Sequence, residues 1–118
     1  MNTIHIIGQV LLGGYFIMNA FNHFRNVNSM AGYAAAFKVP YPKLAVIGTG
    51  LLLLVGGLGI LLNYQVNIAI ACLILFLIPT SFMMHAFWKI SDAGEKMSQQ
   101  INFMKNMALV GALLMLFV

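Results

Sequence analysis

Charge is what this sequence has least of. Its 118 residues include two acids, Asp92 and Glu95, and six bases, so charged side chains make up 7% of the chain. Soluble domains carry about 25%, which excludes an ordinary water-facing surface. Cysteine is almost as scarce. Cys72 stands alone inside an apolar run, which excludes an intrachain disulfide, a CxxC pair and thiol relay chemistry within one chain. The net charge of +4 does not read as a nucleic-acid footprint, because the six cations lie in two loops that also hold both acids and adjoin apolar runs.

What the sequence does have is hydrophobic length: 62% apolar residues and a mean hydropathy of +0.95. Every charge falls in residues 25–43 or 89–105. A cation at a bilayer centre costs about 2.5–3.5 kcal/mol even on lenient insertion scales, so the segments between those windows can span lipid and the windows cannot. Four runs are long enough, residues 4–24, 44–62, 66–87 and 101–118, each roughly 27–33 Å as helix. Lys105 lies near the start of the fourth, where a lysine can snorkel to the interface. The first run lacks a basic leader and a small-residue cleavage signature, so it reads as a retained span. The expectation is one all-α membrane domain over residues 1–118, a four-transmembrane-helix up-down bundle in contact with the lipid bilayer. Three residues, 63–65, join spans two and three in a tight hairpin. By the positive-inside rule both charged loops are cytoplasmic and both termini outside.

The loops carry their own signals. Ser29 can cap a short helix over residues 30–37, whose Met30, Tyr33, Ala34 and Phe37 share one apolar face suited to the interface. The prolines of residues 39–42 predict an extended segment, with Pro42 in the first turn of span two. Asp92 and Glu95 have capping-box spacing, which predicts a helix start near Ala93. FIMNAF at 16–21 resembles FMMHAF at 82–87, and AVIG at 45–48 resembles ALVG at 108–111. A parallel repeat of two helices and chance in so apolar an alphabet both account for these matches. Under the first, Asn19 and His85 are equivalent positions.

At 100° per residue, His5, Gln9, Asn19 and His23 fall within about 80° of one another and form a polar stripe on span one that should face protein. On span three, Ser81, His85 and Trp88 share a face one turn beyond Pro79, which removes a backbone donor. His23 and His85 lie at similar depth on diagonal helices, so both imidazoles can reach one central cavity. The bland reading is that they hydrogen-bond between helices or to headgroup water. The sharper one is a lipid-quinone site of Asn19, His23, Ser81, His85 and Trp88, with imidazole donating to a quinone carbonyl and Phe21, Phe87 and Trp88 as walls. Haem ligation needs closer helix approach than the flanking residues suggest. A metal centre lacks a carboxylate or thiolate beside the histidines. The methionines and the glycines of spans one and two read as packing.

In their order, His23-Phe24, Tyr33-Ala34, the prolines at 40 and 42, LVGGLG at 54–59, His85-x-Phe87-Trp88, Asp92, Lys96 and Phe103-x-Lys105-Asn106 resemble the DoxX family of small four-helix bacterial and archaeal membrane proteins. That family includes a membrane subunit of a thiosulfate:quinone oxidoreductase and a membrane partner in oxidative-stress complexes. The resemblance implies a prokaryotic inner-membrane protein acting as an accessory, quinone-linked subunit of a redox assembly, beside other membrane subunits or further copies, rather than an enzyme by itself. This chain departs from many relatives in carrying no basic residue before span one. A second reading is a structural or assembly factor that docks partners through Tyr33, Lys38, Asp92 and Lys96. A transporter is disfavoured by the short spans and the missing coupling acid within the membrane.

Overall fold

Asn2 accepts the His5 amide proton through its side chain at 2.7 Å and so starts the first helix, α1, Thr3–Arg25. The computed structural model describes residues 2–117, and the elements that follow are α2 (Val27–Ala36), α3 (Pro42–Leu62), α4 (Val66–Met84), a 3₁₀ turn (Phe87–Lys89) and α5 (Ala93–Leu116). Asp92 caps α5 by accepting the Glu95 amide proton at 2.9 Å, so the helix begins where the Asp-x-x-Glu spacing predicts. Among the described residues the chain has no strand.

The helices follow one another in space as α1, α3, α4, α5, with α2 laid against α3. α1 and α3 run antiparallel in close register along their length. Gln9 Nε2 donates to the Ile60 carbonyl at 3.2 Å, Gly13 meets Gly57, and His23 Nδ1 lies 3.1 Å from the Val46 oxygen. A Cβ on Gly13 would stand 2.9 Å from both the Gly57 oxygen and the Leu61 nitrogen, so the two backbones touch because neither glycine has a side chain. On the other side of α3, Gly56 admits Leu73 and Gly59 admits Ala69 of α4. The core between them holds Phe16, Ala20, Leu53, Ile60, Leu73 and Leu77, extended by Val110 and Leu113 of α5.

Outward faces are apolar: Ile4, Leu11, Leu62, Leu75 and Met115 are each more than three-fifths exposed. Among the described residues three helical stretches, Thr3–Arg25, Pro42–Leu62 and Val66–Lys89, are long and apolar enough to cross a membrane. The predicted fourth span, residues 101–118, corresponds to the apolar part of α5. That helix starts earlier than residue 101 and takes in Glu95, Lys96, Gln99 and Gln100. Its uninterrupted apolar end, residues 107–116, is roughly 15 Å long, about half a hydrocarbon core.

Four local expectations change. α2 begins at Val27, capped from Asn26 without a side-chain bond, so Ser29 lies inside the helix. The chain turns directly from α1 into α2 with the Asn26 amide still bonded to the Asn22 carbonyl, which leaves no extended residue for Ser29 to follow. Tyr41 is left-handed (φ 47°) rather than extended, against the preference of a residue before proline. α4 ends at Met84 with His85 as its cap, and Phe87 and Trp88 belong to the 3₁₀ turn.

Candidate functional site

The polar side chains gather at the end of the bundle where the charged loops lie. His85 occupies the C-cap of α4, where its amide donates to the Ser81 carbonyl at 3.2 Å. Its Nδ1 lies 2.6 Å from Gln99 Oε1 on the facing α5, and Gln99 Nε2 donates to the Tyr33 hydroxyl on α2 at 3.0 Å. Asn102 Nδ2 also donates to Gln99 Oε1, at 3.5 Å. Three elements far apart in sequence are thus tied through one buried amide.

The directions of these bonds are set by chemistry. Gln99 Oε1 can only accept, so His85 Nδ1 carries the proton, and in the neutral ring Nε2 is left with a lone pair. The Tyr33 oxygen accepts from Gln99, so its own proton is available to another acceptor. The network therefore presents an acceptor, His85 Nε2, and a donor, Tyr33 O–H. Tyr33 is about half exposed, at 48%, and His85 is half-buried, so both outer atoms belong to side chains that reach the surface.

Beside the network lies an aromatic cluster. Phe82 precedes His85 by three residues and Phe103 follows Gln99 by four, which puts both rings one turn along the same helix faces. Phe103 contacts Phe82, Phe87 and Trp88 at centroid distances of 5.3, 5.7 and 5.6 Å, and Phe87 and Trp88 meet at 5.2 Å. Three of these contacts with Phe103 and the Phe87–Trp88 pair are edge-to-face, so the rings fill one another's gaps and present an outer aromatic wall.

The other residues singled out in the sequence have separate surroundings. His23 is buried in the α1–α3 seam, its Nδ1 3.1 Å from both the Val46 oxygen and Thr49 Oγ1, with Phe76 packed edge-on at 5.6 Å. Thr49 donates its own proton to the Ala45 carbonyl at 2.7 Å, leaving its oxygen to accept from His23. Ser81 is fully buried and donates to the Leu77 carbonyl at 2.7 Å. Asn19 Nδ2 donates to the Tyr15 carbonyl at 2.9 Å on the outer side of α1. The structure brings His85 and Trp88 to one end of α4, buries His23 and Ser81 in different places, and leaves Asn19 on the outer side of α1. Among the described residues no three His, Cys, Asp or Glu side chains converge as metal ligands. Gln99 and the paired role of Tyr33 go unmarked in the sequence reading. A signal for them existed only in the Gln99–Phe103 and Phe82–His85 helical spacings.

Comparison with known families is decided by the first four helices. The DoxX family model matches residues 5–86, more than two-thirds of the chain. The chain belongs to the DoxX family. Together with its apolar helices this makes it a membrane protein in contact with lipid. The match covers Asn19, His23, Tyr33, Ser81 and His85 of this DoxX protein and stops before Trp88 and α5. No curated protein and no solved structure matches the chain.

Proposed function

We propose that this DoxX protein is a non-catalytic accessory subunit of a membrane redox assembly that holds a lipid quinone or quinol at the Tyr33–Gln99–His85 network. The observation that carries the reading is the complementary pair of outer atoms, a histidine lone pair and a tyrosine proton, set beside an aromatic wall. A quinol hydroxyl can donate to His85 Nε2, and Tyr33 can donate to a quinone carbonyl. Phe82, Trp88 and Phe103 supply the apolar flank for the ring. Of the sequence-derived site, His85 and Trp88 face this ligand, His23 ties α1 to α3, Ser81 bonds back within α4, and Asn19 lies on the outer face of α1.

The reading includes a topology. α5 is the fourth span, both termini are outside, and the charged loops are cytoplasmic in a prokaryotic inner membrane, as the placement of five of the six bases in those loops or the helix ends beside them supports. On this view α1–α3 and α4–α5 are two antiparallel helix pairs related as parallel repeats, each with an interfacial segment, α2 or the 3₁₀ turn, between its members.

The test is purification in mild detergent followed by mass spectrometry of co-eluting lipid, and titration with a short-chain benzoquinone. Gln99→Leu cuts the bridge and His85→Ala removes the acceptor. Each is expected to lower quinone retention about ten-fold, as for loss of a charge-free hydrogen-bond pair in an apolar site. Retention unchanged in both variants, with the protein still folded, overturns the reading.

A further inference from the structure

Five of the six bases sit in loops or at helix ends, and Lys105 does not. It lies near the middle of α5, exposed, with its ammonium 5.9 Å from the Tyr15 ring centroid on α1. That is its one specific interaction among the described residues. Tyr15 is itself near the middle of α1, roughly 15–18 Å from either end at 1.5 Å per residue. With α1 spanning the bilayer, the ammonium is level with the hydrocarbon mid-plane, and a four-carbon stem does not take it from there to the headgroups. An unpaired ammonium at that depth is strongly disfavoured, and such groups mark pairing or transport sites.

Neither acidic side chain of the chain lies at that level. Asp92 is the cap of α5 and Glu95 lies in its first turn, both at the charged end. A second copy would bring its carboxylates to that same level and not to the centre. The surface beside Lys105 is also open. α1 and α5 do not pack backbone to backbone, and Tyr15, Met18, Asn19, Asn22 and Arg25 line a groove of about 510 Å³ along α1. These residues recur at helical spacing, which suits a helix laid alongside. Asn19 uses its amide protons on the Tyr15 carbonyl, so its side-chain oxygen can accept from such a neighbour.

We infer that this face receives a transmembrane helix of another protein bearing an Asp or Glu at mid-depth, whose carboxylate pairs with Lys105 while its flank lies along Met18 and Asn19. The inference rests on α5 being the fourth span, and is independent of the quinone site. It is tested with the full chain in phosphatidylcholine vesicles, by energy transfer to synthetic leucine-alanine transmembrane peptides with a central Asp or a central Leu. The Asp peptide is expected to associate about ten-fold more tightly, and Lys105→Met to erase that preference. Equal association of the two peptides, or a preference that survives Lys105→Met, overturns it. So does loss of the preference on adding phosphatidylglycerol together with Lys105-dependent retention of that lipid, which makes a lipid headgroup the occupant. A Lys105→Cys variant on a Cys72→Ala background separates the two levels of argument. If that thiol resists impermeant maleimide in sealed vesicles but the peptides do not discriminate, only the pairing fails. If it reacts in sealed vesicles, the fourth span fails.

Discussion

Replacing Gly13 by alanine tests whether the α1–α3 contact sets the architecture. The added Cβ would lie 2.9 Å from the Gly57 oxygen and 2.9 Å from the Leu61 nitrogen, both backbone atoms that cannot rotate away. Ordinary Cβ contacts begin near 3.4 Å, so the helices must part by about half an ångström. A radial gap of that size forfeits about a quarter of each contact of ~0.1–0.2 kcal/mol along the seam. With the overpacking strain itself, the expected loss is about 1–3 kcal/mol. Gly14 is the control, because nothing lies within 4 Å of its Cβ position. Gly14→Ala should be neutral or stabilising by up to ~1 kcal/mol through helix propensity. Unfolding free energies in detergent should therefore separate two adjacent glycines by about 2 kcal/mol, a factor of roughly 30. Gly57→Ala should match Gly13→Ala, and the double variant should cost less than their sum, since one separation relieves both clashes. Equal stability of the Gly13 and Gly14 variants would refute the backbone contact and the register built on it.

The same seam makes a second expectation at its charged end. A double-mutant cycle of His23→Ala and Thr49→Val should show a coupling of about 0.5–1 kcal/mol in detergent unfolding, the size of interhelical hydrogen bonds in membranes, and additivity would remove that bond. The topology is checked by single cysteines at Ser91 and Tyr64 on a Cys72→Ala background. Impermeant maleimide added to intact cells should label Tyr64→Cys and spare Ser91→Cys, and the reverse pattern would invert the proposed orientation.

What the sequence revealed and what it hid divide along a physical line. Signals that act within one turn were legible: the Asp92 cap, Pro42 at the start of α3 and the three-residue link to α4 all depend on neighbours in the chain. Ser29 misled because the competing residue, Asn26, lies where α1 hands over to α2 with its backbone bond intact, and no side-chain cap is used at all. Tyr41 misled because, as the N-cap of α3, it is left-handed and accepts the Ala45 amide proton, against the local preference of a residue before proline. His23 was recognised as a polar residue facing protein. Its principal acceptor is the Val46 carbonyl, and a backbone partner leaves no mark in the sequence. Gln99 was hidden for a different reason. A glutamine in a polar window is unremarkable until the antiparallel register of α4 and α5 sets it opposite His85.

That register explains why the polar chemistry sits on α5 rather than on the more apolar helices. The buried face of α5 runs from Gln99 through Asn106 to Val110 and Leu113, polar in its first half and apolar in its second. The first half meets the end of α4, where Pro79 deprives the Leu75 carbonyl of its helical donor, Ser81 turns back onto Leu77, and His85 ends the helix. α4 is thus least able to satisfy its own backbone where α5 is richest in side-chain hydrogen-bonding groups. α3, by contrast, meets α1 and α4 through glycines along its middle, and the polar side chains in its seam with α1, Gln9 and His23, lie toward the two ends. The three-element network of His85, Gln99 and Tyr33 forms where two helices differ in this way. The ligand surface at His85 meets α5 through Gln99, and Lys105, six residues on, is turned about 120° around that helix toward Tyr15.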